Sequence, residues 1–180
     1  MYKMLLIQAT GALAYILLSA SYFQKKKKQI IYMQIFAYIF FIIHFYLLSG
    51  VSGALCNIIG LCALISIYIS DKKRSKNKRK LTWLFIIILW IVNLLEYQNI
   101  FSIFPMVAIT IVIISFLENK PSYIRIMGAI ASICWLIYGI AYKSYISIFF
   151  NLITLIEIIM AIIQYSKKKR KTKKENKRKK

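Results

Sequence analysis

The sequence predicts an all-α membrane protein: seven transmembrane helices, arranged as two parallel three-helix repeats joined by a linker helix (3+1+3). Three observations predict it. Of 180 residues, 60% are hydrophobic and only 17% charged, far from the soluble range. The charge is confined to short stretches. Between them lie apolar runs of roughly 17–22 residues, enough at 1.5 Å per residue to cross about 30 Å of hydrocarbon. The third observation is an internal repeat, because a shift of 94 residues lays spans 1–3 on spans 5–7 without a gap.

The spans follow in order. Span 1, Met4–Phe23, is too long for a signal-peptide core and has no small-residue cleavage site after it, so it is expected to stay. Span 2 (Ile30–Leu48) and span 3 (Val51–Ser70) are separated by a turn marked by Ser49, Gly50, Ser52 and Gly53. Span 4, Leu81–Tyr97, follows a basic loop, and this single crossing makes the two repeats parallel. Spans 5, 6 and 7 are Ile100–Leu117, Ser122–Tyr142 and Ser144–Tyr165. Pro121 sits at the start of span 6, where a missing N–H costs nothing. None of the runs alternates polar with apolar residues, as barrel strands would. The organisation expected is a first repeat over 1–74, a basic loop and linker helix over 75–98, and a second repeat over 99–168. A disordered basic cytoplasmic tail over 169–180 completes it.

Basic residues predict the orientation. With the N-terminus outside, the segments 24–29, 71–80, 118–125 and 166–180 are cytoplasmic and hold 24 of the 26 Lys and Arg. Only Lys3 and Lys143 fall outside, a strong positive-inside bias that requires an odd number of crossings. The tail from Lys167 to Lys180, beside a bilayer, is expected to meet anionic lipid head groups rather than nucleic acid. No Ser-His-Asp set, Gly-rich phosphate loop or carboxylate pair is present, so neither an enzyme nor a cofactor is expected. Cys56, Cys62 and Cys134 lie inside spans without a CxxC, so no metal site is expected either.

The repeat brings particular residues into register. Ala14 meets Ala108, Ser21 meets Ser115, Lys26 meets Lys120, Ala37 meets Ala131 and Asn57 meets Asn151. On span 3, Gly53, Asn57 and Gly60 share one face, and Ser147, Asn151 and Thr154 are their counterparts on span 7. Such a stripe serves either close helix packing with polar cross-bonding or a solute path. Span 2 adds His44, and span 6 adds Trp135 and Tyr138, at about the depth of the two Asn residues. Together they suit a small polyhydroxy or amide solute, though aromatics also anchor helix ends. Glu157 lies about 12 Å inside the cytoplasmic end of span 7. A carboxyl at that depth costs on the order of 2.5–3.5 kcal/mol. It is therefore either a proton-coupling group or a carboxyl held by hydrogen bonds, with Arg125 as one partner in reach.

The stretches His44-Phe-Tyr-Leu-Leu-Ser-Gly, Gly53-Ala-Leu-Cys-Asn-Ile-Ile-Gly60 and Trp135-Leu-Ile-Tyr-Gly, with Gln8, Gly11 and Gln24, resemble the YgjV-type bacterial inner-membrane family. The resemblance runs from about residue 5 to 166 and implies a bacterial plasma membrane location. More distantly, the 3+1+3 layout resembles the SWEET and PQ-loop transporters. That likeness implies a small-solute path lined by an Asn on the third helix of each repeat, the positions of Asn57 and Asn151. The Pro-Gln signature of that superfamily is absent, since Gly11 stands in one repeat and Pro105-Met106 in the other.

Two function classes follow. One is a transporter or facilitator of a small polar solute, with the path between the repeats. The other is a non-transporting scaffold or regulator whose repeats only pack. Beyond lipid and solute, assembly as a homo-oligomer is left open.

Overall fold

A computed structural model describes the backbone of residues 2–178 and the side chains of residues 4–160 and Ile163. Among the described residues there are seven α-helices and no strand. They are α1 (Tyr2–Tyr22), α2 (Lys27–Leu47), α3 (Val51–Lys72), α4 (Lys78–Leu95), α5 (Ile103–Ser115), α6 (Pro121–Ala141) and α7 (Tyr145–Arg178). A single 3₁₀ turn, Ile100–Ser102, leads into α5. Number and order match the predicted spans.

The boundaries differ at several helix ends. α4 opens on Lys78, Arg79 and Lys80, and stops at Leu95 rather than Tyr97. α5 stops at Ser115 rather than Leu117, ahead of the polar Glu118, Asn119 and Lys120. α7 continues as a helix to Arg178, through backbone that the charge run led us to expect disordered from 169. Lys, Arg and Glu are good helix formers, and extending an existing helix needs no new nucleus. Lys179 and Lys180 lie outside the described residues.

Four helices are long and apolar enough to cross a bilayer: α1 from Met4, α2, α3 and α6. Shorter apolar stretches are Ile100–Ser115 and, among the described residues of α7, Tyr145–Met160. Large apolar side chains such as Ile58, Ile65, Ile87 and Ile91 point outward. In water so much exposed apolar surface would drive association; in lipid it is the solvated face.

The 94-residue shift holds in three dimensions. α1 packs on α2 and α2 on α3, as α5 packs on α6 and α6 on α7. Between repeats, α1 packs on α7 and α3 on α5, contacts that the shift exchanges for each other. Local detail follows the same rule. Ser49 and Lys143 stand at equivalent turns, with φ of 58° and 52°. Just after each, Gly50 N–H donates to Phe45 O and Ser144 N–H to Gly139 O, both at 2.9 Å. These are left-handed helix stops of one kind. Ser21 Oγ donates to Leu18 O at 2.6 Å, and Ser115 Oγ to Val112 O at 2.7 Å. The buried Ala14 matches the buried Ala108, and the exposed Ile39 matches the exposed Ile133.

The linker helix α4 stands outside this symmetry. It buries Thr82, Ile86, Leu89 and Asn93, a stripe of one face at helical spacing, against α3 and α5. Polar ties join it to α3 at two levels: Cys56 Sγ donates to Asn93 Oδ1 at 3.3 Å, and Lys78 pairs with Asp71 at 2.8 Å.

Candidate solute site between the repeats

Where the repeats meet, a cavity of ≈ 40 Å³ lies between helices of both. Six pairs of its lining residues are related by the shift: Leu18 and Val112, Gln34 and Gly128, Ala37 and Ala131, Tyr38 and Ser132, Phe41 and Trp135, Asn57 and Asn151. Tyr15, Tyr22 and Phe45 complete the wall. A water needs roughly 10–15 Å³ by this measure, so the space suits a few waters or a very small guest.

Both Asn residues are buried, and each anchors its Nδ2 one turn back on its own helix. Asn57 donates to Gly53 O at 2.7 Å and Asn151 to Ser147 O at 2.8 Å. Asn151 also donates to Tyr15 Oη at 2.8 Å, and that phenol pairs with Ser147 Oγ at 2.6 Å. Asn57 has no such second tie among the described hydrogen bonds. Its amide is therefore the less committed of the two to structure. The wall is also asymmetric at Gly128, where an added Cβ would come within 2.7 Å of Tyr22 Oη. Glycine at this position leaves room for the Tyr22 phenol, where its counterpart Gln34 keeps a full side chain that donates to Ser21 Oγ at 3.3 Å.

Beyond the cavity, toward each end of the bundle, hydrogen bonds join the two repeats. At the end away from the basic loops, His44 and Tyr138 are equivalent under the shift, and both are fully buried. His44 Nδ1 donates to Ile7 O at 2.9 Å, since a carbonyl only accepts. Its Nε2 then accepts from Ser144 Oγ, 3.2 Å away in the other repeat. Tyr138 reaches the opposite way: Gly53 N–H donates to its Oη at 3.1 Å, and Ser52 Oγ lies at the same distance. Below them Phe45 stacks on Trp135 at 5.1 Å between ring centres and roofs the cavity.

The basic end is tied by charge. Arg125 of α6, 1% exposed, donates from Nε to Tyr22 O and from Nη2 to Gln24 O, both at 2.7 Å. Those carbonyls end α1, so the guanidinium of one repeat caps a helix of the other. Nearby, Asp71 accepts Lys27 at 2.7 Å and Lys78 at 2.8 Å. Lys27 also donates to Asn119 Oδ1, and Lys78 to Leu117 O, each at 3.2 Å.

On α7, past Asn151 toward the basic end, Thr154 Oγ1 and Glu157 Oε2 are buried with no hydrogen-bond partner among the described residues. Glu157 is close enough to Tyr22 to interact with it electrostatically. Polar atoms buried this way cost about 1–3 kcal/mol each unless something binds them.

The structure thus sorts the residues expected from the sequence. Asn57, Asn151 and Trp135 line the cavity. His44 and Tyr138 sit above it as closures, Gly53 packs under the Tyr138 ring, and Ser147 holds Tyr15. Thr154 and Glu157 lie beyond it. Sequence reasoning missed Tyr15, Tyr22, Tyr38 and Ser132. Tyr15 and Tyr22 stand seven residues apart around Leu18, a one-face spacing that was there to be read. Among the described residues no three His, Cys, Asp or Glu come together as a metal set.

An all-helical bundle with a lipid-facing exterior and a polar seam between two repeats is an integral membrane protein. The chain belongs to the Imp-YgjV family, described as bacterial inner membrane proteins, whose family model matches residues 5–169. No curated protein and no solved structure matches it.

Proposed function

We propose that the protein carries a small polar solute across the bacterial inner membrane along the seam between its repeats, and that the structure corresponds to a closed state of that path. The observation that supports this best is the cavity wall itself. Small and polar residues in a membrane seam also serve helix packing. Here both repeats contribute equivalent positions to one open space lined by three amides, Gln34, Asn57 and Asn151, and three phenols, Tyr15, Tyr22 and Tyr38. Amide and hydroxyl groups hydrogen-bond hydroxylated or amide solutes, and Phe41 and Trp135 offer ring faces to a sugar-like body. At ≈ 40 Å³ the space excludes a whole sugar. Entry therefore requires the His44 and Tyr138 ties, or the Arg125 tie, to open in turn. Parallel repeats hinged about a central site are suited to such alternation.

Glu157 is the proposed coupling group. A carboxyl oxygen without a partner, beside an unpartnered Thr154 hydroxyl and the Tyr22 phenol, is set to take and release a proton as the neighbouring helix moves. The orientation proposed is N-terminus outside and C-terminus cytoplasmic, on the 24 basic residues gathered at one side. A reporter fused after Ser166 that read periplasmic would reverse it.

The test is uptake of a mixture of labelled polyols, sugars and amides into vesicles holding the full-length protein. Accumulation of one solute class above empty vesicles is expected, with a rate that changes with pH. Glu157→Gln is expected to fold normally and to remove that pH dependence, because Gln keeps the shape but cannot exchange a proton. Unchanged pH dependence would remove Glu157 from the mechanism, and no uptake of any class would favour the scaffold reading.

A further inference from the structure

At the basic end, on the outside of the bundle, a second hollow of ≈ 330 Å³ opens between α2, α3 and the α5–α6 loop. Lys27, Lys28, Lys72, Asp71, Tyr68 and Asn119 line it, with Ile31 at its apolar side. The single carboxylate in this wall is already engaged, by Lys27 inside the hollow and by Lys78 outside it. Lys28 and Lys72 form no salt bridge among the described residues, so the wall holds three ammonium groups against one carboxylate. Lys28 is kept in place over the Tyr68 ring, 5.7 Å from its centre, and the Tyr68 hydroxyl leans on Tyr32 at 3.3 Å. Tyr32 is itself 48% exposed on the outward, lipid-side face of α2.

We propose that this hollow binds the phosphate group of an anionic phospholipid, with the head group between Lys28, Lys72 and Asn119 and the acyl chain lying along the exposed Tyr32 face of α2. The position decides the source. The hollow sits at the last turn of α3 and the first of α2, where an apolar helix surface gives way to charge, the depth of a phospholipid phosphate. Ammonium groups, an amide donor and a phenol supply the hydrogen bonds that a phosphate needs, and adjacent apolar surface supplies what free phosphate would not use. The inference is independent of any transport function.

The full-length protein is purified in detergent, and retention of phosphatidylglycerol is measured against phosphatidylcholine by native mass spectrometry. Phosphatidylglycerol is expected to be retained selectively. The double variant Lys28→Gln, Lys72→Gln is expected to weaken that retention roughly thirty-fold, at about 1 kcal/mol per basic residue. A control with the same loss of charge, Lys76→Gln in the loop before α4 with the exposed Arg79→Gln in its first turn, is expected to retain the lipid. Equal loss in both variants would overturn the proposal in favour of diffuse attraction. Millimolar inorganic phosphate that displaces the lipid and is itself retained would assign the hollow to the free anion instead, and overturn the lipid as its ligand.

Discussion

Asn57→Leu is expected to lower solute uptake by more than roughly tenfold, while leaving the thermal midpoint of the protein close to that of the parent. The tenfold figure is what a lost hydrogen bond of about 1.4 kcal/mol gives, before steric exclusion is added. The asymmetry between the two Asn residues makes this the cleaner substitution. Asn57 bonds only a carbonyl of its own helix among the described hydrogen bonds, so its loss orphans little. Asn151 is tied to Tyr15 and to Ser147, so a Leu there would disturb the α1–α7 contact as well. A Leu at 57 points its added bulk into the cavity, which it would fill. Uptake that survives with the fold intact would take Asn57 out of the path.

Arg125→Met is expected to destabilise the protein by about 3 kcal/mol, the sum of two charge-assisted hydrogen bonds at their lower value. For a chain of this length that is roughly 6–12 °C in the melting midpoint. The lost bonds end α1 at Tyr22 O and Gln24 O, so the first repeat would loosen from the second at its basic end. Arg125→Lys keeps the charge, but a single ammonium does not reproduce the guanidinium's fork, so an intermediate midpoint is expected. The midpoint is read by heating the detergent-solubilised protein and following the loss of soluble material. A variant that melts with the parent would show that the cap contributes nothing to the closed state.

The architecture was legible because two periodic signals agree. Apolar length set the number and order of the helices, and the 94-residue register set which faces turn inward. The paired Asn residues belong to the second signal, and they do reach one cavity. What was not legible depends on contacts between residues more than 80 apart. The sequence offers His44 and Tyr138 as solute-path candidates at the depth of the Asn pair, with a satisfied core histidine and an interfacial aromatic as the alternatives, and depth along a helix does not give the partner. Their hydrogen bonds to Ser144 and to Gly53 place them at the closure. Arg125 was read as a partner in reach of Glu157. Its described hydrogen bonds go to backbone carbonyls, which carry no residue identity for a sequence to show. Tyr15 and Tyr22 looked like any aromatic in an apolar run until the small residues opposite them, Ser147 and Gly128, gave them a place.

If the seam is a solute path, water reaches the space between the repeats while the lipid face stays dry, and cysteine accessibility in native membranes reads this out. In a chain whose Cys56, Cys62 and Cys134 are first replaced by Ala, Asn57→Cys and Asn151→Cys are treated separately with a small charged methanethiosulfonate. Ile58→Cys, one residue on and facing lipid, is the control. The account predicts that both cavity positions react, at similar rates, and that the control does not. Two cavity cysteines no more reactive than the control would mean a dry seam, and would contradict it.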